Sequence, residues 1–260
     1  MTAPSSDEGL SAILVALAAP AAKIIETKQH PLDASSSFTG GMPYFEAEQL
    51  WPQCHHCGAL MRFIAQLAQQ DHQVHFPSQW NLLVFFACGR TDWCLHRGLD
   101  GRSNPNPFTQ GDWRAKGGTI AVHSYHAASP TKASTPEQSN VVGQRLAFAF
   151  TASQSLPDQI TVECAKNGYD PLNLDEIFSH DAIRYGRLSR SISSLKCGDS
   201  YIGGWPLWGN CVDMTPMVQG QAMRHILKID SVLGNHSFYE MASLFGDLKS
   251  NTFQLVYDGT

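Results

Sequence analysis

The chain has 260 residues, of which 43% are hydrophobic and 16% are charged. That length and apolar content are enough to bury a core in one large domain or in two packed halves. The net charge of −5 argues against a protein drawn to nucleic acid by phosphate attraction, and no apolar run is long enough to span a membrane.

The N-terminal segment predicts a short amphipathic helix. Apolar residues recur at helical spacing from Leu10 to Leu17, and Pro20 is expected to end the helix. Ser5 and Glu8 stand at the spacing of a capping box at its start. The alternative is a secretory signal peptide, but acidic residues, and no Lys or Arg, precede the apolar stretch. We therefore expect a cytoplasmic protein, in which the seven cysteines stay reduced.

The strongest motif is a set of cysteines with the spacing of a structural zinc site. Its members are Cys54, Cys57, Cys88 and Cys94. Gly58, directly after the first pair, can take the left-handed conformation that lets two sulfurs face one metal ion. Two alternatives stay open. Cys88 could be a small apolar residue buried in the core and Cys94 an ordinary loop residue, or Cys54 and Cys57 could form a redox motif. His55 or His56 could also replace a thiol as a ligand.

Strand-like segments flank the cysteines. Residues 63–67 are short and apolar, and residues 82–87 form the near-continuous apolar run of a buried strand. If these two strands pair, both cysteine-bearing turns lie at one end of the sheet. A third strand-like segment, 119–122, precedes His123 and His126. Their spacing could suit a metal, but no carboxylate lies close, so we interpret both as surface or packing residues.

A polar Ser/Thr/Pro segment, 129–140, divides the chain. It separates an N-terminal unit, residues 1–128, which holds the cysteine knuckle, from a C-terminal unit, residues 141–260. We expect the two units to pack as one compact body.

The second unit continues the β-rich pattern. Strands are predicted at 145–151, 160–164 and 226–229, and a short helix at 173–178. Three arginines spaced by three residues predict the solvated face of a further helix. They are Arg184, Arg187 and Arg190.

Two blocks recur in the same order in both units and predict an internal duplication. A Gly-Gly-x-Pro block begins at Gly40 and again at Gly203, and a Met-Arg-x-Ile block begins at Met61 and again at Met223. A further match joins 82–86 to 253–257. The prediction is an α+β, β-rich fold, in which two tandem pseudo-repeats of antiparallel sheet follow a short N-terminal helix.

The Gly-Gly-x-Pro block has two interpretations. It could be a ligand loop with an aromatic wall. Alternatively, its glycines supply positive φ angles or a close approach, and its proline leads into an edge strand. Because the block occurs in both units, we favour the backbone role.

Together these blocks resemble the bacterial YwqG-like family and, more distantly, the eukaryotic programmed cell death protein 2 family. The resemblance rests on Gly40 to Pro43, Trp51-Pro52, Cys54 to Gly58, 61–67, 83–88 with Cys94, Gly203 to Pro206 and 226–231. The second unit departs from the family pattern. Lys228 stands where glutamine is usual, and no second Cys-x-x-Cys lies near Cys211.

This resemblance implies a duplicated β-rich fold with no established catalysis. Some YwqG-like proteins resemble immunity proteins encoded beside secreted toxins, and the eukaryotic relatives act as dedicated chaperones for a ribosomal protein. Both precedents imply protein binding.

We therefore expect a non-enzymatic protein-binding module, namely an immunity protein that neutralises a cognate secreted toxin of basic, nuclease type. The chain lacks the sequence signatures of serine hydrolases, zinc proteases and nucleotide-binding loops. The candidate contact residues are the mid-chain carboxylates Asp170, Asp175, Glu176 and Asp181. The alternatives are a chaperone or assembly factor for a basic client such as a ribosomal protein, and a hydrolase with a site between the repeats. No nucleic-acid or membrane partner is expected.

Overall fold

The computed structural model describes a β-rich α+β protein. The described residues are 6–31, 33–55, 57–76, 80–88, 120–126, 134–157, 168, 182–196, 198–207, 215–230, 232–233, 236–237, 241–247 and 252–258. The predicted strand at 160–164 and the predicted helix at 173–178 lie outside these residues.

Helix α1, Asp7–Leu17, confirms the predicted N-terminal helix, but its N-cap lies one residue after the predicted one. Its N-cap is Ser6, whose hydroxyl accepts a hydrogen bond from the backbone N of Gly9 at 3.2 Å. With Ser6 in that position, Glu8 lies in the first turn, where its charge complements the helix dipole. The structure therefore caps the helix with Ser6 and not with Ser5 of the predicted capping box, and Ser5 itself lies outside the described residues.

Helix α2, Ala182–Ile192, carries the three arginines, as predicted. Apolar side chains of α1 and α2 pack together with Leu156. The Asp7 carboxylate of α1 accepts hydrogen bonds from Arg184 and Arg187. Neither of the two described helices is long and apolar enough to cross a membrane.

The structure describes fourteen strands. In chain order they are β1 Ala19–Glu26, β2 Phe38–Thr39, β3 Arg62–Ala68, β4 Leu82–Ala87, β5 Ile120–Tyr125, β6 Leu146–Ser155, β7 Tyr201–Gly203, β8 Met217–Val218, β9 Gln221–Ala222, β10 Arg224–Ile229, β11 Val232–Leu233, β12 His236–Ser237, β13 Met241–Asp247 and β14 Thr252–Asp258. Ten of them form one sheet, in the order β14-β13-β10-β7-β1-β6-β2-β3-β4-β5, and the rest form two hairpins. The predicted strands at 63–67, 82–87, 119–122, 145–151 and 226–229 are confirmed.

The strand order crosses the predicted boundary between the two units. Strand β1 lies between β6 and β7 of the C-terminal unit, and β6 lies between β1 and β2 of the N-terminal unit. Strands β1 and β6 pair along the whole of β1, from Ala19 opposite Ser155 to Glu26 opposite Phe148. Each unit therefore gives its first strand to the centre of a shared sheet.

Strand β1 is absent from the sequence-based predictions. Its small apolar residues continue the helical pattern of α1, so Pro20 is expected to end a helix. In the structure α1 has already ended at Leu17, and Pro20 is the second residue of β1, opposite Gln154. A proline is tolerated close to the start of a strand.

The two halves of the sheet have matching features. Counted outwards from the centre of the sheet, the strands of the two halves correspond in pairs. The pairs are β1 and β6, β2 and β7, β3 and β10, β4 and β13, and β5 and β14. Strands β3 and β10 each carry a register shift, at Ile64 and at Ile226. The duplication itself stays a prediction. In this order β4 corresponds to β13, whereas the sequence match pairs 82–86 with 253–257, which lie in β14.

Both Gly-Gly pairs have the backbone role that we favoured. All four glycines have φ between +64° and +70°. An added Cβ on Gly40 would overlap the carbonyl oxygen of Gln144, and one on Gly203 would overlap Val74. The expected edge strand after the proline is wrong for the first block, because residues 42–46 are not a strand and instead bury Tyr44 and Phe45; the residues that follow Leu207 in the second block lie outside the described ones.

The sheet curls around a core to which both halves contribute. Leu83 and Phe85 of β4 enter this shared core. Within this core the two halves of the sheet are in contact. Trp80, just before β4, packs against Phe253 of β14, with ring centroids 4.5 Å apart. Residues on the other face of β4, such as Phe86, belong to a second, aromatic cluster that also contains two cysteines, Cys54 and Cys88.

Candidate metal centre and adjoining cleft

Three of the four predicted cysteine ligands come together at one end of the sheet. The sulfur atoms of Cys54, Cys57 and Cys88 all lie within 4.8 Å of one another. Those of Cys57 and Cys88 are 3.7 Å apart. Cys54 and Cys88 are buried, and Cys57 is half-buried. The three thiols lie close enough to bind a metal ion. The fourth predicted ligand, Cys94, lies outside the described residues.

The first two thiols lie on a tight turn within residues 52–61, here called the cysteine hairpin. The backbone N of Cys54 donates to the carbonyl of Ala59 at 2.8 Å, and the N of Gly58 donates to the carbonyl of Cys54 at 2.7 Å. Gly58 has a φ of +66°, which confirms its predicted left-handed conformation. The turn therefore folds Cys57 back towards Cys54.

Antiparallel pairing brings the third thiol to the cysteine hairpin. Arg62, the first residue of β3, lies opposite Ala87, the last residue of β4. The cysteine hairpin enters β3 at the point where β4 ends, and Cys88 follows β4 directly. The hairpin and Cys88 therefore lie at the same end of the sheet, as the sequence predicts for paired strands.

Trp51 anchors the base of the cysteine hairpin to the sheet. Its indole Nε1 donates to the carbonyl of Met61 at 2.6 Å, across the base of the hairpin. Its ring stacks on Phe45 and meets Phe86 edge-on, with centroid distances of 5.3 Å and 5.4 Å. These contacts fix the hairpin against the aromatic cluster before any metal binds.

The C-terminal half has a hairpin at the corresponding point, formed by β8 and β9 just before β10. Met223 N donates to the carbonyl of Pro216 at 2.8 Å, which matches the 2.8 Å bond from Met61 N to Pro52. Residues 219–220 turn with positive φ, as in a short two-residue hairpin loop. No cysteine lies in this second hairpin. Within the described residues, a cysteine cluster is found in the N-terminal half alone.

A surface cleft of about 560 Å³, here called the hairpin cleft, lies beside the cysteine hairpin. Its lining residues are Leu50, Trp51, Gln53, Cys54, His55, Gly58, Leu60, Pro136, Glu137 and Gln138. The cysteine hairpin and the residues before it form one wall. The other wall is formed by residues 136–138, which belong to the segment that we predicted to divide the two units.

Hydrogen bonds hold this second wall at both ends. The backbone N of Ser134 donates to the carbonyl of Phe45, and its hydroxyl donates to the carbonyl of Glu46, both at 2.7 Å. At the other end, Asn140 Nδ2 donates to the carbonyl of Leu60 at 3.1 Å. Residues 134–140 therefore have a fixed path across the aromatic cluster and the cysteine hairpin.

The hairpin cleft combines apolar surface with a small number of polar groups. Leu50 is 54% exposed at the cleft, whereas Trp51 is almost fully buried beneath it. His55 and Glu137 are exposed, but no hydrogen bond or ion pair joins these two described side chains. The cleft thus exists before any ligand binds. Its histidine and its carboxylate are not aligned as an acid–base pair.

His123 and His225 are buried packing residues. Burial lowers the pKa of each to about 4, so both are neutral near pH 7. The His123 ring lies against Phe45 and Phe86, with centroids 5.5 Å and 5.1 Å away. His225 Nδ1 donates to the carbonyl of Gly203 at 2.9 Å. The interpretation of His123 and His126 as surface or packing residues is therefore confirmed: His123 is a packing residue, and His126 is exposed.

The four candidate contact carboxylates Asp170, Asp175, Glu176 and Asp181 lie outside the described residues. The hairpin cleft was missed by sequence reasoning, because its second wall depends on hydrogen bonds to residues far away in the chain. A signal for it was Leu50, a large apolar residue next to the Trp-Pro pair and outside any predicted strand.

No protein-family model matches the chain, and no curated protein matches it.

Proposed function

We propose that the protein is a non-enzymatic protein-binding module whose N-terminal half is held together by a structural zinc ion. The observation that carries the proposal is the hairpin cleft, a preformed surface site beside the cysteine cluster, with an exposed leucine and a carboxylate that forms no ion pair with another described residue. Pre-organised sites with an apolar anchor position bind partners at low entropic cost.

The spacing of the thiols supports zinc as the metal. In a tetrahedral site with Zn–S bonds of about 2.3 Å, the sulfur atoms lie about 3.8 Å apart. The 3.7 Å between the sulfurs of Cys57 and Cys88 agrees with that spacing. Cys94 would be the fourth ligand, with His55 or His56 as its alternatives. Four protein ligands leave no open position for water, which is the arrangement of a structural zinc ion.

The partner that we propose is the basic toxin of a toxin–immunity pair. The net charge of −5 suits a basic partner, and electrostatic attraction can raise association rates to about 10⁸–10⁹ M⁻¹s⁻¹ at low salt. The resemblance to YwqG-like proteins supports the same proposal. Asp170, Asp175, Glu176 and Asp181 remain candidate contacts for such a partner.

Affinity capture of the full-length, zinc-loaded protein from its own cell at natural abundance tests this function. We expect one basic protein to co-purify in a salt-sensitive complex. If it is a toxin encoded beside this chain, deleting the toxin should make this protein dispensable for growth. Capture of a ribosomal protein, together with abnormal ribosome profiles in the deletion strain, would instead support the chaperone alternative. Recovery of no specific partner would overturn protein binding.

A hydrolase is the second candidate, because His55, Glu137 and Cys54 border the same cleft. Its site would lie in the hairpin cleft rather than between the two units, since β1 and β6 of the two units pair directly. Ester and peptide hydrolysis by the wild type, lost in His55→Ala and retained in His126→Ala, would establish it. His126 is the matched control because it is also an exposed histidine.

A further inference from the structure

We propose that the hairpin cleft receives an extended segment of the partner in which a large apolar side chain is followed by Lys or Arg. This inference rests on the proposed protein-binding function and specifies the chemistry of the partner. The apolar side chain would pack on Leu50 and Leu60, and the cation would pair with Glu137.

Charge is the first reason for this choice. Among the described residues that line the cleft, Glu137 carries the only side-chain carboxylate. It forms no ion pair with any other described residue. An unpaired carboxylate at the edge of an apolar cleft favours a cationic group over a neutral or an acidic one. The net charge of the whole chain, −5, acts in the same direction.

Apolar surface is the second reason. Leu50 is 54% exposed, and Leu60 and Pro136 line the cleft on either side. A partner side chain that covers Leu50 removes apolar area from water on both surfaces. The cleft volume of about 560 Å³ lies within the range of about 300–1,000 Å³ that is typical of ligand sites, so it has room for two neighbouring side chains.

The fixed position of both walls is the third reason. One wall is held by the Trp51 bond to Met61, and the other by the bonds of Ser134 and Asn140. A segment that enters the cleft therefore does not have to order the protein around it.

A peptide titration tests the cleft without a purified partner. The probe is the capped hexapeptide Gly-Ser-Leu-Arg-Ser-Gly, with Gly-Ser-Leu-Glu-Ser-Gly and Gly-Ser-Ser-Arg-Ser-Gly as controls. It is added to ¹⁵N-labelled, zinc-loaded full chain, with the Trp51 indole N–H as the main NMR reporter. We expect the Leu-Arg peptide to shift Trp51 and residues 134–140, and both controls to bind more weakly.

Two substitutions locate the contacts. Glu137→Gln should weaken the affinity for the Leu-Arg peptide about two- to fivefold, the size expected for an exposed ion pair. It should leave the affinity for the Leu-Glu peptide unchanged or raise it. Leu50→Ser should weaken the affinity for both leucine-containing peptides several-fold. The matched control is Met217→Ser, which removes a 59% exposed apolar side chain from the β8–β9 hairpin and should change nothing.

The outcomes separate this inference from the proposed function. Equal affinity for the Leu-Arg and Leu-Glu peptides, shifts that map elsewhere, or no binding at millimolar peptide would overturn the cleft assignment. A natural partner that binds Glu137→Lys and Leu50→Ser as tightly as wild type would also overturn it, while protein binding itself would stand. Peptide binding at the cleft without any captured partner would support the cleft and count against the function.

Discussion

Replacing Cys57 by serine should abolish the stabilisation by zinc while leaving the zinc-free protein almost unchanged. Cys57 is the half-buried member of the cluster, so exchanging its sulfur for oxygen disturbs little packing. It is also one of the thiols that lie within 4.8 Å of one another, so its loss removes a ligand from the metal site. The two effects can therefore be separated by measuring with and without metal.

The magnitude follows from linkage between metal binding and folding. At free zinc of about 100 times the dissociation constant, a site that exists only in the folded state adds about 2.7 kcal/mol. For a domain of this size 1 kcal/mol raises Tm by about 2–4 °C, so zinc should raise the wild-type Tm by about 5–11 °C. Cys57→Ser should lose that rise, and its zinc-free Tm should stay within about 2 °C of the wild type.

Thermal unfolding with zinc and with an excess of chelator, combined with elemental analysis, provides the measurement. Cys164→Ser is the control, because it removes a cysteine that is not part of the predicted ligand set, and it should keep the full zinc effect. The metal site as described is refuted if zinc stabilises Cys57→Ser as much as the wild type. It is also refuted if the wild type binds no zinc. Cys94→Ser then tests the fourth ligand: retained affinity would point to His55 or His56 instead.

Gly40→Ala should destabilise the protein clearly more than Gly58→Ala in chemical denaturation. Both glycines have positive φ, which costs an alanine about 1–2 kcal/mol, but only at Gly40 would the added Cβ also overlap a carbonyl oxygen; equal losses would contradict the close approach. Gln66→Met should cost about 2–4 kcal/mol, because Gln66 is fully buried and bonds three backbone groups, whereas exposed Gln29→Met should cost almost nothing. A loss for Gln66→Met no larger than for Gln29→Met would show that these bonds contribute little. Stability should fall as the pH drops from about 6.5 towards 4, since the unfolded chain protonates histidines that stay neutral in the fold, by about 1.4 kcal/mol per pH unit for each of His123 and His225. His123→Phe should reduce this slope by the contribution of one histidine, about 1.4 kcal/mol per pH unit. An unchanged slope would mean that His123 is not buried as a neutral ring.

Local features of the fold were readable from the sequence, because they depend on neighbouring residues. The apolar run at 82–87 is strand β4 without change of limits, and the Gly-Gly pairs have the positive φ angles that glycine permits. The convergence of Cys54, Cys57 and Cys88 also followed from local information, namely one turn, one strand end and the pairing of two adjacent strands.

Features that depend on distant pairing were not readable in this way. Residues 19–22 are small and apolar, and they become a strand only because β6 and β7 lie on either side. The second wall of the hairpin cleft is a polar segment, and its path is set by the carbonyls of Phe45, Glu46 and Leu60. Neither kind of partner can be inferred from the segment itself.

The central position of β1 has a consequence for how the protein is made. Strand β1 leaves the ribosome well before its neighbours β6 and β7, which are synthesised only after the whole N-terminal unit. At about 5–20 residues per second, β1 waits on the order of ten seconds for β6. During that time its unpaired backbone edges are available to other chains. The nascent N-terminal unit should therefore depend on chaperones until the C-terminal unit appears, and the two units expressed as separate chains should recover a native fold only when they are mixed.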